Sequence, residues 1–208
     1  MKKTTSIPLI ALLVCACQVP YRDNAYLVAE KIIQATASGS SGCIYDTSTL
    51  ELTFGAFNPL GGGYTHGVVV ENRLLDNSSL APGRVNTNDF QIEYAVIDYE
   101  QIDGPAVVLP EQTVPGNSLV LVGSKATTQL ELVPSAVAQA IGGNTMKIRL
   151  LIQIYGRLLD GSRVKTNTYE YVVQADPAFS QPAATCTAPQ VPVFCEGAGN
   201  QDTATTCQ

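Results

Sequence analysis

The sequence MKIRLLIQIYGRLLDGSRVKTNTYEYVVQ, residues 146–174, predicts a long antiparallel β-hairpin. Two runs rich in apolar and β-branched residues flank Asp160-Gly161, a dipeptide that favours a two-residue turn of type I′. With Leu159 placed opposite Ser162, the register of the whole hairpin follows. It pairs apolar residues on one face, namely Ile152 with Tyr169, Leu150 with Tyr171 and Ile148 with Val173.

The opposite face of this hairpin is mixed, since the same register pairs Leu151 with Glu170 and Gln153 with Thr168. One apolar face and one mixed face are typical of an antiparallel sheet that is buried on a single side. A slip of one residue would exchange the two faces, so the pattern specifies the register. The hairpin is therefore expected to cover an apolar core.

Further strands are indicated upstream, where apolar residues recur with period 2. The segment TLELTFGAF (49–57) places Leu50, Leu52, Phe54 and Ala56 on one face, and residues 66–75 form the next strand. In residues 89–99, the apolar face is predicted to carry Phe90, Ile92, Tyr94 and Val96. Shorter strands are expected at 106–109, 118–122 and 127–133, followed by a helical turn that Gly142-Gly143 closes.

About seven strands separated by turn signals predict an all-β fold, an antiparallel sandwich of two sheets over residues 48–175. A small β-barrel is the alternative architecture. In strand count and in its long terminal hairpin, this segment resembles immunoglobulin-like and fibronectin-III-like domains. It departs from true immunoglobulin domains because it has no Trp and no cysteine in the middle strands.

The segments on either side of this domain have a different composition. Residues 26–36 (YLVAEKIIQAT) contain good helix formers after Asn24, which predicts a short N-terminal helix. The following Ser38-Gly39-Ser40-Ser41-Gly42 has the composition of a flexible linker, so residues 17–47 are expected to tether the domain. Residues 176–208 are expected to form an irregular tail.

The N-terminus has the parts of an export signal. A basic start, Lys2-Lys3, precedes the short apolar run Ile7–Val14, which is too short to cross a bilayer as a mature helix. The next residues complete Val14-Cys15-Ala16-Cys17, which resembles the lipobox of bacterial lipoproteins. The resemblance implies a signal peptide of residues 1–16 and a mature N-terminal Cys17 that carries lipid. Gln18 in place of Asp implies the outer membrane, by the sorting pattern of well-studied Gram-negative bacteria.

Charge limits the class of partner. The formal net charge of −6 becomes −8 once Lys2 and Lys3 are removed with the signal. A chain this acidic has no general attraction to nucleic acid, so no nucleic-acid partner is expected. The lipid on Cys17 is then the expected attachment to the bilayer, because two or more acyl chains hold a protein stably.

The remaining cysteines are an even set in an exported chain, which predicts two disulfides. They are Cys43, Cys186, Cys195 and Cys207. Three connectivities are possible, and pairing Cys43 with Cys186 and Cys195 with Cys207 is preferred because neither closure crosses the other. A zinc site is the alternative, which the absence of a C-x2-C pair and the presence of one histidine, His66, make weak.

No catalytic motif is present. The chain contains no G-x-S-x-G, no Walker sequence and no G-x-G-x-x-G after a strand. His66, in GYTHG (63–67), is expected to have a loop or strand-edge role. Asp98, Glu100 and Asp103 are predicted to lie in a solvated loop, and they are also the one weak candidate for a calcium site. No cofactor is expected.

The sequence therefore predicts a non-catalytic lipoprotein of the bacterial envelope that serves as a binding, assembly or structural module. Its partner would be an envelope protein or a polysaccharide. An envelope hydrolase that uses paired carboxylates is the alternative from a different class, because sequence alone does not select two carboxylates for such a role.

Overall fold

The structure is a computed structural model. It describes residues 22–23, 25–37, 43–78, 85–180, 192–193 and 206–207. For residues 22–23, 36–37, 192–193 and 206–207 the description covers the backbone alone. The described chain is mostly β-structure. Its strands are β1 Arg22–Asp23, β2 Leu27–Ile33, β3 Thr36–Ala37, β4 Cys43–Ile44, β5 Gly55–Phe57, β6 Tyr64–Asn72, β7 Phe90–Asp103, β8 Gln112–Val120, β9 Lys125–Val133, β10 Met146–Leu158, β11 Arg163–Lys165, β12 Tyr169–Ala175, β13 Pro192–Val193 and β14 Thr206–Cys207.

The larger sheet, sheet A, is organised around the long strand β10. Strand β7 pairs with β10 along one side, and β8 pairs with β7 in turn. On the other side, β12 pairs with the first half of β10 and β11 with the second half. Two short parallel pairings extend this side, β5 next to β12 and β1 next to β11. Within the described residues, sheet A therefore contains seven strands.

The hairpin predicted for residues 146–174 is confirmed, including its register from Met146 to Ile152. Ile148 pairs with Val173, Leu150 with Tyr171 and Ile152 with Tyr169. Along β10, every second side chain from Met146 to Ile154 is buried, and those between them are partly exposed. The apolar face and the mixed face are thus as predicted.

The turn of this hairpin differs from the prediction. The Leu158 N–H donates to Ser162 O (3.0 Å) and the Gly161 N–H donates to Leu158 O (2.9 Å), which makes a three-residue loop of 159–161. Gly161 has φ of 85°, as the last residue of such a loop requires. Near the turn, Arg157 therefore pairs with Arg163, one residue away from the predicted register. An extra residue within 166–168 restores the predicted register in β12.

Sheet B consists of β2, β6 and β9 in antiparallel order, with β6 in the centre. Val68 and Val70 of β6 and Leu130 and Leu132 of β9 point into the same core as the buried side chains of sheet A. The outer side of sheet B is covered as well, because Tyr45 and Ile33 lie against Gly67. The domain thus has two sheets around one apolar core.

The predicted N-terminal helix at 26–36 is wrong, since residues 27–33 form strand β2. This strand pairs with β6, and a bulge at Ala29–Lys31 turns both Leu27 and Ile32 towards the core. Helix propensity differs by only ~0.7 kcal/mol per residue, so burial against a valine-rich strand outweighs it. The domain therefore starts well before residue 48. The linker 38–42 falls outside the described residues.

Two further strand predictions are wrong and one helix prediction is confirmed. Of residues 49–57 only β5 is a strand, and its buried residues are Gly55 and Phe57, the opposite phase from the prediction. Residues 106–109 are not a strand. The predicted helical turn is α1, Ser135–Ile141, which ends at Gly142 with φ of 57°.

The all-β class is confirmed by these elements. In the described part of the chain, the helical residues are those of α1 and two short 3₁₀ turns, at Pro59–Gly61 and at Ser78. No helix there is long and apolar enough to cross a bilayer.

Candidate functional site

The acidic residues predicted to form a loop lie in a strand instead. Asp98, Glu100 and Asp103 belong to β7, which continues to Asp103. The Glu100 carboxylate binds Arg149 (Nη1 to Oε2, 3.1 Å), and Asp103 accepts a hydrogen bond from the Gly104 N–H (2.8 Å). Within the described residues, no three His, Cys, Asp or Glu side chains are grouped so that they could hold a metal ion. The geometry therefore gives the calcium candidate no support, because a strand spreads these carboxylates along its length and an arginine pairs with one of them.

His66 is not at a loop or a strand edge. It lies in the central strand of sheet B, is completely buried, and has its ring centroid 4.4 Å from that of Tyr64. The Tyr64 hydroxyl in turn shares a hydrogen bond with the Tyr171 hydroxyl (3.1 Å). A histidine inside the core cannot reach a substrate in solvent. The position of His66 therefore gives no support to a hydrolase that would use it as the general base.

The cysteines are described only in part. Cys43 lies in β4, which pairs with β3, and it is disulfide-bonded. Cys207 lies in β14, whose backbone pairs with β13. Cys17, Cys186 and Cys195 fall outside the described residues, so lipidation and the pairing of the tail cysteines stay predictions.

The outer face of sheet A carries an aromatic row, which runs across four strands. Tyr155 of β10 pairs with Tyr94 of β7, and their rings stack with centroids 5.1 Å apart and planes 6° from parallel. Lys165 of β11 lies beyond Tyr155, with its ammonium 5.9 Å from the ring centroid. Pro115 of β8 pairs with Tyr94 on the other side. We call these four residues the aromatic row.

A hydrogen-bond network fixes this row. Gln153 accepts at Oε1 from the Tyr155 hydroxyl (2.6 Å) and from the Lys165 ammonium (3.4 Å), and its amide donates to Thr166 O (3.3 Å). Tyrosine presents a large rigid surface with a polar tip, which is why it is enriched at binding surfaces. The row therefore offers a pre-organised combination of aromatic, amide and cationic groups on a sheet face.

Sequence reasoning missed this row because a bulge changes the phase of β7. The register shifts between Ile92 and Tyr94 against both β10 and β8. Phe90 and Ile92 face the core as predicted, but beyond the bulge it is Ala95 and Ile97 that are buried. Tyr94 and Val96 consequently face outwards. The available signal was the polar Gln153 and Lys165 on the mixed face of the hairpin, next to Tyr155.

The second notable region is the end of the domain at which β6, β8 and β10 finish. We call it the loop pole, and its described residues are 73–78 and 85–89, between β6 and β7, and the turns 121–124 and 159–161. Asn72 is completely buried there, and its amide donates to Asn88 O (2.9 Å) and Val120 O (3.1 Å). Its Oδ1 accepts from the Leu74 N–H (3.1 Å). This side chain therefore joins two strands to the long connection.

A partly open cleft of about 450 Å³ lies at the loop pole, lined by Tyr26, Arg73, Leu74, Leu75 and Asn88. Its lining is mainly apolar. Several large apolar side chains are exposed at the same pole; they are Tyr26, Leu75, Val85, Leu119, Leu121 and Leu159. Tyr26 and Leu75 line the cleft together, and exposed apolar side chains grouped in this way are uncommon on proteins that have no partner there. The loop pole is therefore a second candidate for an interaction.

Comparison with known proteins found no match. No family model fits the chain, and no curated protein and no solved structure is significantly similar to it. What the structure defines is a class, an all-β domain of two sheets.

Proposed function

We propose that this protein is a lipoprotein of the bacterial outer membrane that serves as a non-catalytic binding or assembly module. The signal sequence and the lipobox-like Val14–Cys17 support the anchor at Cys17. The buried histidine and the paired carboxylates give the hydrolase alternative no support. The observation that carries the binding role is the aromatic row on the outer face of sheet A.

We further propose that the domain is immunoglobulin-like in topology. In such domains, strands C, F and G form one sheet and strands A, B and E belong to the other. Here β7, β10 and β12 are consecutive neighbours in sheet A, and β2, β6 and β9 form sheet B. The chain passes from β6 to β7, returns to sheet B at β9, and then forms the β10–β12 hairpin. That order supports the assignment of these six strands to C, F, G, A, B and E.

The outer face of sheet A suits a partner of extended shape. It is one continuous sheet face, and its aromatic row lies between charged groups near either end of β10. Near the loop pole Arg157 binds Glu93 (2.8 Å), and near the opposite end Arg149 contacts both Glu100 (3.1 Å) and Glu170 (3.8 Å). Exposed ion pairs of this kind contribute little to stability, so they can exchange partners on binding. An envelope protein or a polysaccharide chain would meet aromatic, amide and charged groups together.

A capture experiment with matched variants tests the binding face. Wild-type protein, Lys165→Glu, Tyr155→Ser and the control Val108→Ser are each used to retain partners from a detergent extract of the native envelope. They are also sedimented with its purified polysaccharide fraction. Val108 is 90% exposed and lies far from the row, so its variant should behave as wild type. We expect one component to be lost with both row variants. Equal retention by all four proteins would contradict the proposal.

A further inference from the structure

We propose that the loop pole rests on the surface of the bilayer, so that the strands of the domain point away from the membrane. This inference depends on the proposed lipidation of Cys17. It identifies which surface of the domain the membrane covers. Two features of the domain support it: where the chain enters, and which residues are exposed there.

The entry point of the chain lies at the loop pole. Strand β1 is the first described element, and Arg22 pairs with Val164, close to the hairpin turn 159–161. Only four residues, 18–21, separate Cys17 from Arg22. A fully extended chain advances at most about 3.6 Å per residue, so the lipidated residue must lie within roughly 18 Å of Arg22. The anchor is thus confined to the same end of the domain as the exposed Tyr26, Leu75 and Leu159.

The segment 38–42 does not alter this geometry. Residues 38–42 follow β2, and β2 is already part of sheet B. They therefore connect two parts of the domain and add no length between the lipid and the domain. A short connection of four residues holds the loop pole close to the headgroups.

The exposed side chains at the loop pole suit an interfacial position. Leu75 is 84% exposed and Leu159 is 53% exposed, and Tyr26 lines the cleft next to Leu75. Apolar residues enter the boundary between headgroups and acyl chains, and tyrosine is enriched at that depth. The acyl chains supply the attachment, and these side chains need only select one orientation.

Asp89 holds the loops that carry these apolar side chains in place through three hydrogen bonds. The Asp89 carboxylate accepts hydrogen bonds from the Val122 N–H (2.9 Å) and from the Asn86 amide (2.7 Å). Its backbone carbonyl accepts from the Leu159 N–H (3.2 Å). One residue therefore ties the three loops of the pole together. A rigid pole can present Leu121 and Leu159 to the bilayer at little entropic cost.

Charge does not select the orientation, because both ends carry charges of both signs. At the loop pole, Arg73 and Arg157 are paired with Glu71 and Glu93, and Asp76 and Asp160 lie in its loops. At the opposite end, Arg149 contacts Glu100 and Glu170. The orientation therefore depends on the entry point of the chain and on the exposed apolar side chains, and it leaves the outer face of sheet A accessible from the side.

Tryptophan fluorescence tests this orientation directly, because the native chain contains no Trp. Leu159→Trp and the control Val108→Trp are each made in the full-length protein, which is purified with its lipid. Both are reconstituted in vesicles of phosphatidylglycerol and dibrominated phosphatidylcholine, whose bromines quench indole fluorescence at close range. Both positions are exposed in the wild-type protein. Circular dichroism and thermal unfolding verify that both variants fold.

We expect the indole at position 159 to lose most of its emission and the indole at position 108 to keep its emission. Equal quenching of both would overturn the proposal, since the domain would then lack a fixed orientation. Vesicle-bound protein with an unquenched, blue-shifted indole at 159 would also overturn it, because a second copy of the chain or another protein would cover the pole. In both cases lipidation stands. An N-terminus without lipid, seen by mass spectrometry, would remove the anchor and this inference together.

Discussion

At Gly156 the strands β7 and β10 approach so closely that a side chain has no room. A Cβ at this position would meet the carbonyl of Gln91 and the ring of Phe90. The site adjoins the bulge that turns Tyr94 outwards, so the missing side chain and the changed phase of β7 belong to one local arrangement. The glycine is required by close backbone approach, since its φ is not in the left-handed region.

Gly156→Ala should therefore destabilise the protein by about 1–3 kcal/mol, the usual cost of inserting a methyl group into a closely packed site. The control is Gly143→Ala, because a Cβ there meets open space. Chemical denaturation of both variants measures the difference. A loss at position 143 equal to that at position 156 would contradict the packing argument.

Tyr99 gives the stability a dependence on alkaline pH. Burial, and secondarily the negative charge of Glu131, raise the pKa of Tyr99 above its ordinary value of 10.0. The contribution of this group is complete below pH 10 and is lost as pH rises further, because the unfolded chain ionises first. Tyr99→Phe should weaken the decline in unfolding free energy above pH 10.

The free energy of unfolding of the same variant should also fall by about 1 kcal/mol at pH 7, since the Tyr99 hydroxyl donates a hydrogen bond to Leu132 O (2.9 Å). Denaturation at several pH values between 7 and 11 measures both effects. An unchanged alkaline slope in Tyr99→Phe would show that other groups govern the decline.

At the scale of single elements, the two faces of β10 differ in burial, as two adjacent leucines show. Leu150 is completely buried in the core, whereas Leu151 is partly exposed and pairs with Asp98 and Glu170. Leu150→Ala should cost ~2–5 kcal/mol and Leu151→Ala less than about 1 kcal/mol. The identical residue type makes each variant the control of the other. Equal losses in thermal or chemical unfolding would mean that the assigned faces are wrong.

The hairpin could be predicted from sequence because its local pattern and its tertiary pairing agree. Alternation along 146–154 specified the buried face, and the register at β12 was right although the turn was not. The one-residue offset at the turn is compensated by the extra residue at 166–168. No local sequence pattern indicates such a compensation. Turn type was therefore the less predictable feature.

The elements that could not be predicted depend on contacts distant in sequence. Strand β2 has helix-forming residues, and its pairing with β6 decides its conformation. Leu50 continues a clear period-2 pattern, yet it is 87% exposed, because the chain there forms a single bridge from Glu51 to Ile33 and no strand. The aromatic row was hidden for the same reason, since the bulge at Ile92–Tyr94 arises from pairing on both sides of β7.

At the scale of the whole molecule, the two ends of the domain are joined to different segments of the chain. The described domain begins at the loop pole and its last strand, β12, finishes at the opposite end. The lipid would hold the end at the loop pole, and the cysteine-containing tail 176–208 starts at the opposite end. A long covalent closure between the tail and Cys43 would then restrain the far end of the domain, with a typical stabilisation of ~2–4 kcal/mol.

The cysteine prediction can be examined in the purified protein. With Cys43 already in a disulfide, we expect all four cysteines, Cys43, Cys186, Cys195 and Cys207, to be oxidised. Thiol titration of the unfolded, unreduced protein should detect no free thiol, and non-reducing peptide mapping should identify the pairs. One reactive thiol among the four would refute the two-disulfide scheme.

The mass of the mature N-terminus tests the central claim, that lipid at Cys17 places this domain on the membrane. Mass spectrometry of protein purified from the native envelope should find a chain that begins at Cys17 and carries diacylglycerol on the thiol and an acyl group on the amine. Cys17→Ser should release the protein from the membrane, and Cys15→Ser should not. An unmodified Cys17, or a mature chain that begins elsewhere, would contradict the account.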